Sequence, residues 1–247
     1  MTITTRQAFL KQHPNLEPKA RKGSALWLSL LVGAPDNRWL LDAELSKHIP
    51  GIDPGSIDWR SPVARDAFRE CRDNDFLDAL DLQKKLNGKL VRTAVSPQGF
   101  WPANGPVWDA LAVGPNETRI LVEAKAHIPE IAASGCGATA KSSIDLIEKR
   151  FDQVKKDLGV KQGDWMGPLY QHANRLAHLW WLRRQEGIDA HLVFLYFVNA
   201  DDVGGPGTVE EWKGAIQLEE KVLGIPKRHA LREYVHHVFF DVAPLKP

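Results

Sequence analysis

"VWDALAVGPNETRILVEAKAH", Val107 to His127, is the stretch on which the reading of this chain turns. Two apolar runs flank Gly114-Pro115-Asn116, a pattern that spells strand, turn, strand. Yet Asp109 interrupts the first run, and Glu123 and Lys125 interrupt the second. Side chains alternate faces along a strand. Glu123 and Lys125 therefore share one face with Leu121 and His127, while Ile120, Val122, Ala124 and Ala126 form the apolar, core-directed face. Asp109 joins Glu123 only in certain registers, because directly opposite residues of an antiparallel pair point the same way. A four-residue loop, Gly114 to Glu117, would set Asp109 opposite Val122, on the apolar face. A three- or five-residue loop, or one bulge, sets it on the face of Glu123, and the charges predict such an irregularity.

Downstream, Ile144, Ile147, Phe151, Val154 and Leu158 recur with helical period in "SSIDLIEKRFDQVKKDLG". "GPLYQHANRLAHLWWLRRQEG" predicts a second helix, with Leu169, Ala173, Leu176 and Trp180 on one stripe. "DAHLVFLYFVNA" is almost wholly apolar, as a strand buried on both faces must be. "TVEEWKGAIQLEEKVLG" predicts an exposed amphipathic helix and "YVHHVFFDVA" a last strand. Upstream, "KGSALWLSLLVG" (22–33) and "NRWLLDAELSKHI" (37–49) read as helices. Pro50 to Pro62 reads as a loop. Ser61-Pro62 reads as the start of a helix running to about Arg72. Another helical segment spans about 74–86, and strands are expected from near Leu90. This order predicts an α/β chain whose mixed β-sheet is flanked by helices. The expectation is a single domain, with a helical N-terminal elaboration (1–89), a core (90–200) and a C-terminal helix and strand (201–247).

The bulk composition excludes several classes. With 247 residues, 43% hydrophobic and 26% charged, the chain can bury a substantial core. Thirty-two basic and 31 acidic residues give a net charge of +1, so any basic groove is local. Cys71 and Cys136 form neither a disulfide framework nor a zinc-ribbon spacing. No apolar run suits export or a membrane span, which makes the expected location cytoplasmic. The histidines lack zincin spacing, "DDVGGPG" lacks a phosphate-loop lysine, and there is no Gly-x-Ser-x-Gly elbow.

Two carboxylates brought together repel, and a divalent cation relieves them. Mg²⁺ is typically held by one or two carboxylates, with waters and phosphate oxygens completing its octahedron. A lysine on the same face can stabilise developing negative charge. Asp109, Glu123 and Lys125 thus suit metal-assisted phosphodiester hydrolysis. The competing reading is a salt-bridge cluster on a solvated strand face.

The pattern "GPVWDALAV" followed by "ILVEAKAH" resembles the PD-(D/E)xK nuclease superfamily, with Trp108-Asp109 where that family has Pro-Asp. The resemblance implies a restriction-endonuclease-like fold. It also implies a hydrolase that cuts nucleic acid, DNA first, by metal-activated water. Asp109, Glu123 and the Ala124 carbonyl would hold Mg²⁺ or Mn²⁺, and Lys125 would position or activate the water. Many members add a carboxylate from the helix before the meander, for which Glu44 is the first candidate and Glu70 the second. Some carry a glutamine on the following helix, here Gln171, with Gln153 as its competitor; Arg175 and Lys149 could touch phosphates. The implied partner is nucleic acid, with no membrane and room for a homodimer. Two other classes remain open: an inert nucleic-acid- or protein-binding module of the same fold, and a two-carboxylate glycoside hydrolase, which would need neither Lys125 nor metal.

Overall fold

The computed structural model describes residues 2–82, 99–132 and 135–246. Its strands are β1 (Asp58–Ser61), β2 (Cys71–Arg72), β3 (Val107–Trp108), β4 (Ala110–Val113), β5 (Arg119–Lys125), β6 (Ala190–Val198) and β7 (Val235–Asp241). Five of them form one mixed sheet in the order β1-β4-β5-β6-β7. β1 and β5 flank β4 in antiparallel fashion, and β6 and β7 continue parallel to β5. β2 and β3 make a separate two-stranded ribbon.

The α-helices are α1 (Arg6–Gln12), α2 (Gly23–Gly33), α3 (Pro35–Leu45), α4 (Asp73–Ala79), α5 (Lys141–Leu158), α6 (Tyr170–Trp180) and α7 (Val209–Leu223). They cover both faces of the sheet. On one side Leu26, Leu30, Leu41 and Leu45 of α2 and α3 pack on Ile120, Val122, Val193 and Leu195. On the other, Phe151, Val154 and Leu176 of α5 and α6, with Trp212 and Ile216 of α7, pack on Leu121, Leu192 and Tyr196. Alternation along β5 and β6 feeds one set of side chains to each core. This accounts for the unbroken apolar run of β6, which is buried at all nine positions.

Local chemistry fixes the helix ends. α5 and α7 stop at Gly159 and Gly224, whose φ values of 74° and 69° suit glycine and close the last turns. α7 begins with a capping box in which Thr208 Oγ1 accepts from the Glu211 N–H and Glu211 accepts from Thr208. Thr208→Ala should therefore cost about 1 kcal/mol in urea unfolding.

Three expectations need correction. The stretch 62–72 is not a helix. It is a single 3-10 turn at Ala64–Asp66 followed by β2. Ala67 and Phe68 take left-handed φ values of 52° and 57°, which end any helix there. Phe68 instead packs edge-on against Phe9 and His13, so tertiary burial overrides local propensity. The stretch 50–62 is not all loop, because 58–61 forms edge strand β1 with Trp59 buried. Finally, the helix expected over 74–86 stops at Ala79, and Asp81 takes a left-handed φ of 57° just beyond it. The strand expected near Leu90 lies outside the described residues. Among the described residues, no helix is long and apolar enough to cross a membrane.

Candidate functional site

The site begins with the hairpin register. Val113 pairs with Arg119, which leaves the five residues Gly114 to Thr118 as the loop. Asn116 and Glu117 turn it with φ values of 55° and 61°, and the Gly114 N–H closes it on the Thr118 carbonyl at 2.8 Å. Ala110 consequently faces Val122, and the next step of that register carries Asp109 to Glu123. This is the odd loop that the charges require.

Asp109 sits where the chain changes sheets. β4 belongs to the large sheet, whereas Trp108 of β3 pairs with Cys71 in the ribbon. Leaving the large sheet takes the main-chain partner away from Ala124. The Asp109 carboxylate replaces it, with Oδ2 accepting from the Ala124 N–H at 2.7 Å. A buried backbone donor is thereby satisfied by a side chain. N–H and C=O of one strand residue project to the same edge, so the Ala124 carbonyl faces this junction as well.

Glu123 and Lys125 lie on one face of β5, but that face is not solvated. Glu123 is 1% exposed and Lys125 8%. Helix α6 covers them. Lys125 Nζ donates to Glu123 Oε1 and to Gln171 Oε1. One turn further along α6, Arg175 Nε donates to Glu123 Oε2 at 2.6 Å and Nη2 donates to the Val107 carbonyl at 2.7 Å. The guanidinium lies 4.8 Å from the Trp108 ring centroid, which holds it from the side. Gln171 and Arg175, four residues apart, thus grip the two charged residues of β5 from one helix face. A salt-bridge cluster on a wet strand face does not describe this arrangement.

The electrostatics divide the two carboxyls. Burial, and then the Glu123 charge beside it, push the Asp109 carboxyl up to about 8. Burial alone would raise Glu123 too, but Arg175 and then Lys125 outweigh it and hold Glu123 below its ordinary value. Without a bound cation, burial and the Glu123 charge thus favour the neutral form of Asp109. Among the described residues, no three His, Cys, Asp or Glu side chains form a metal-ligand set. Asp109, Glu123 and the Ala124 carbonyl lie at this junction, with Lys125 and Arg175 on the two Glu123 oxygens, and Mg²⁺ commonly takes one or two carboxylates from a protein. A divalent cation would also offset the burial and the Glu123 repulsion that raise Asp109. The donors present fit such an ion.

No family model matches the chain, and neither a curated protein nor a solved structure matches it.

The remaining candidates do not join the Glu123–Lys125 cluster. Glu44 on α3 pairs with Lys47 at 2.6 Å and lies 3.7 Å from His48, with no contact to Asp109 or Glu123. Its apolar neighbours Leu41 and Leu45 face the opposite core. Glu70 lies on a loop, not a helix, and lines the same hollow as Asp109, with Lys19 3.5 Å away. Gln153 accepts from Arg150 at 3.0 Å, so Gln171 is the glutamine that reaches the lysine. His178 is buried among Phe100, Trp101 and Trp108, and burial pushes it down to about 3, as befits a packing residue.

Sequence reasoning gave Arg175 only a distant role, against phosphate. Its i, i+4 spacing from Gln171 was the signal that both would reach the same strand. It also missed the buried pair behind the site, His172 Nδ1 and Glu219 Oε1, 3.1 Å apart. Glu219 sits in a charged helix face, "LEEK", where nothing distinguishes it from solvated neighbours.

Proposed function

We propose that the chain is a divalent-metal-dependent hydrolase of nucleic-acid phosphodiester bonds, DNA first, with a restriction-endonuclease-like core. The observation that carries this reading is the buried cluster of Glu123, Lys125 and Gln171, with Asp109 held on the N–H of Ala124 between the two β5 charges. Burial separates it from a chance cluster of surface charge.

The chain's own groups divide the work. Asp109 and Glu123 present carboxylate oxygens on one face of the β4–β5 junction, with the Ala124 carbonyl at the strand edge. A divalent ion bound there would neutralise phosphate charge and supply a water that ionises more readily. Lys125, fixed between Glu123 and Gln171, is held rigidly enough to place an ammonium beside the phosphoryl group. Gln171 has no charge to contribute and acts by orienting Lys125.

In a cleavage assay with Mg²⁺ or Mn²⁺, Lys125→Ala should lower the rate by about 10²–10³-fold, the usual loss when one charge-stabilising donor is removed. Absence of cutting of DNA and RNA by the wild type, or equal cutting by Lys125→Ala, would sink the reading.

A second reading has its own support. Arg175 Nε and Nη2 both lie 2.6 Å from Glu123 Oε2, so a protein cation already neutralises the carboxylate that a metal would use. That arrangement favours an inert module of the same fold. Mn²⁺ decides between them. The hydrolase gains thermal stability with the ion and loses that gain in Asp109→Ala, and the inert module shows no shift.

A further inference from the structure

A hollow of about 520 Å³ opens directly on Asp109. Leu28, Pro62, Phe68 and Val107 give it an apolar wall, and Lys19 and Arg72 stand among its charged lining. It does not end there. Asp66, Arg69 and Asp75 also line a second hollow of about 320 Å³, which Arg60 and Arg65 border. Three of the arginines come from one short segment, "ARDAFRECR", in which Arg65, Arg69 and Arg72 recur at three- and four-residue intervals.

We propose that these two hollows hold one unpaired strand of nucleic acid, with a single base against the apolar wall before Asp109 and the backbone running past Arg72, Arg69 and Arg65. The proposal rests on the hydrolase reading of the Asp109 site and names its substrate as single-stranded or locally unpaired.

Shape is the first argument. The volume beside Asp109 is that of a small-molecule site, sufficient for one unstacked nucleotide. A base still paired and stacked in a duplex does not fit a concave hollow, and proteins that work on such a base extrude it first. The lining is the second argument. Non-sequence-specific single-strand sites combine an apolar or aromatic surface for a base with cations that track the backbone. Phe68, Leu28 and Pro62 supply the first, and the arginines the second.

Carboxylates match the cations along this path: Glu17 and Asp78 line it as well, and three others are paired with its cations. Asp66 lies 3.6 Å from Arg65, Asp75 3.5 Å from Arg69, and Glu70 3.5 Å from Lys19. These are exposed pairs at the outer edge of ion-pair distance, with Arg65 69% and Arg69 70% exposed. Such pairs hold weakly and exchange readily for phosphate. Arg60 is different, because Asp58 at 2.8 Å and Asp81 at 2.9 Å already occupy it, so it borders the track without serving it.

The test uses a fluorescein-labelled DNA oligonucleotide, single-stranded or annealed to its complement, with Ca²⁺ replacing Mg²⁺ and anisotropy as the readout. The single strand should bind about tenfold or more tightly than the duplex. Ala25→Phe, which fills the first hollow from α2, should remove that preference. Arg65→Glu with Arg69→Glu, both on the surface, should weaken single-strand binding about tenfold and flatten its salt dependence. Melting curves confirm that each variant folds, and should the Ala25 variant not fold, the arginine pair carries the test. Equal binding of duplex, no binding of either oligonucleotide, or full binding by the arginine variant overturns the proposal. A missing Mn²⁺ thermal shift alongside the expected strand binding would remove the hydrolase reading and leave the strand site standing.

Discussion

Arg175→Met should destabilise the protein by about 3–5 kcal/mol, because it strips a buried carboxylate of its principal partner. Glu123 is 1% exposed and depends on two cations, Arg175 at Oε2 and Lys125 at Oε1. Methionine fills much of the same volume, so the loss comes from charge and hydrogen bonding more than from packing. Three contacts disappear together: the pair to Glu123, the bond to the Val107 carbonyl and the stacking over Trp108. The Val107 bond ties the two-stranded ribbon to α6, so its loss also loosens the turn that carries Asp109. The double variant Arg175→Met with Glu123→Gln separates the causes. Removing the buried charge along with its partner should restore much of the stability, since the unpaired carboxylate is the costly species. Urea unfolding of the single and double variants measures both effects. A single variant as stable as the wild type would show that Glu123 does not depend on Arg175.

The reach of the sequence depended on the physical source of each feature. Hydrophobic pattern placed α5, α6, α7, β6 and β7: α5 and α7 bury one stripe, α6 is buried nearly all round, and β6 is apolar on both faces. The parity argument for the hairpin also held. Two charges on one strand and one on the other admit only certain loops, and the five-residue loop is one of them. What lies between Pro50 and Arg72 was not legible, for a reason of the opposite kind. β1 follows a loop rich in proline and glycine, and its Trp59 is fixed by a hydrogen bond to Asp42 of α3 at 2.8 Å, a contact distant in sequence. Phe68 likewise owes its left-handed backbone to packing on Phe9 and Gly33. At the site, the strand residues Asp109, Glu123 and Lys125 could be read from alternation alone. Their protein partners could not. The Arg175 grip and the Asp109 bond to Ala124 arise where α6 and the β2–β3 ribbon meet the sheet, and no local pattern encodes that meeting. The partners of Glu44 were hidden for a related reason. A carboxylate beside Leu41 and Leu45 looked inward, but α3 turns it toward Lys47 and His48.

Asp109→Asn should make the metal-free protein more stable at pH 8 while abolishing stabilisation by Mn²⁺. Burial and the neighbouring Glu123 push the Asp109 carboxyl up to about 8 from its ordinary value of 3.8. The folded state therefore holds the proton more tightly than the unfolded chain does. Stability from the protonated carboxyl is fully present below pH 4 and drains away as the pH rises toward 8. At 1.36 kcal/mol per pKa unit, the loss is on the order of 5 kcal/mol at its upper limit. Asparagine does not ionise, and its Oδ1 can still accept from the Ala124 N–H. The difference in melting temperature between variant and wild type should thus be small near pH 4 and widen steadily to pH 8. Comparing the two proteins cancels the other titrations, including His178 and His236, which burial pushes down to about 3 and which lose stability in the opposite direction, as pH falls. A difference that stays constant across this range would mean that Asp109 is charged in the folded protein throughout. Mn²⁺ then supplies the second half of the test. A cation that needs the Asp109 oxygen should raise the melting temperature of the wild type and leave the asparagine variant unmoved. If both effects appear together, the carboxylate that weakens the empty fold is the one that binds the ion, and its retention beside Glu123 is explained by function and not by stability.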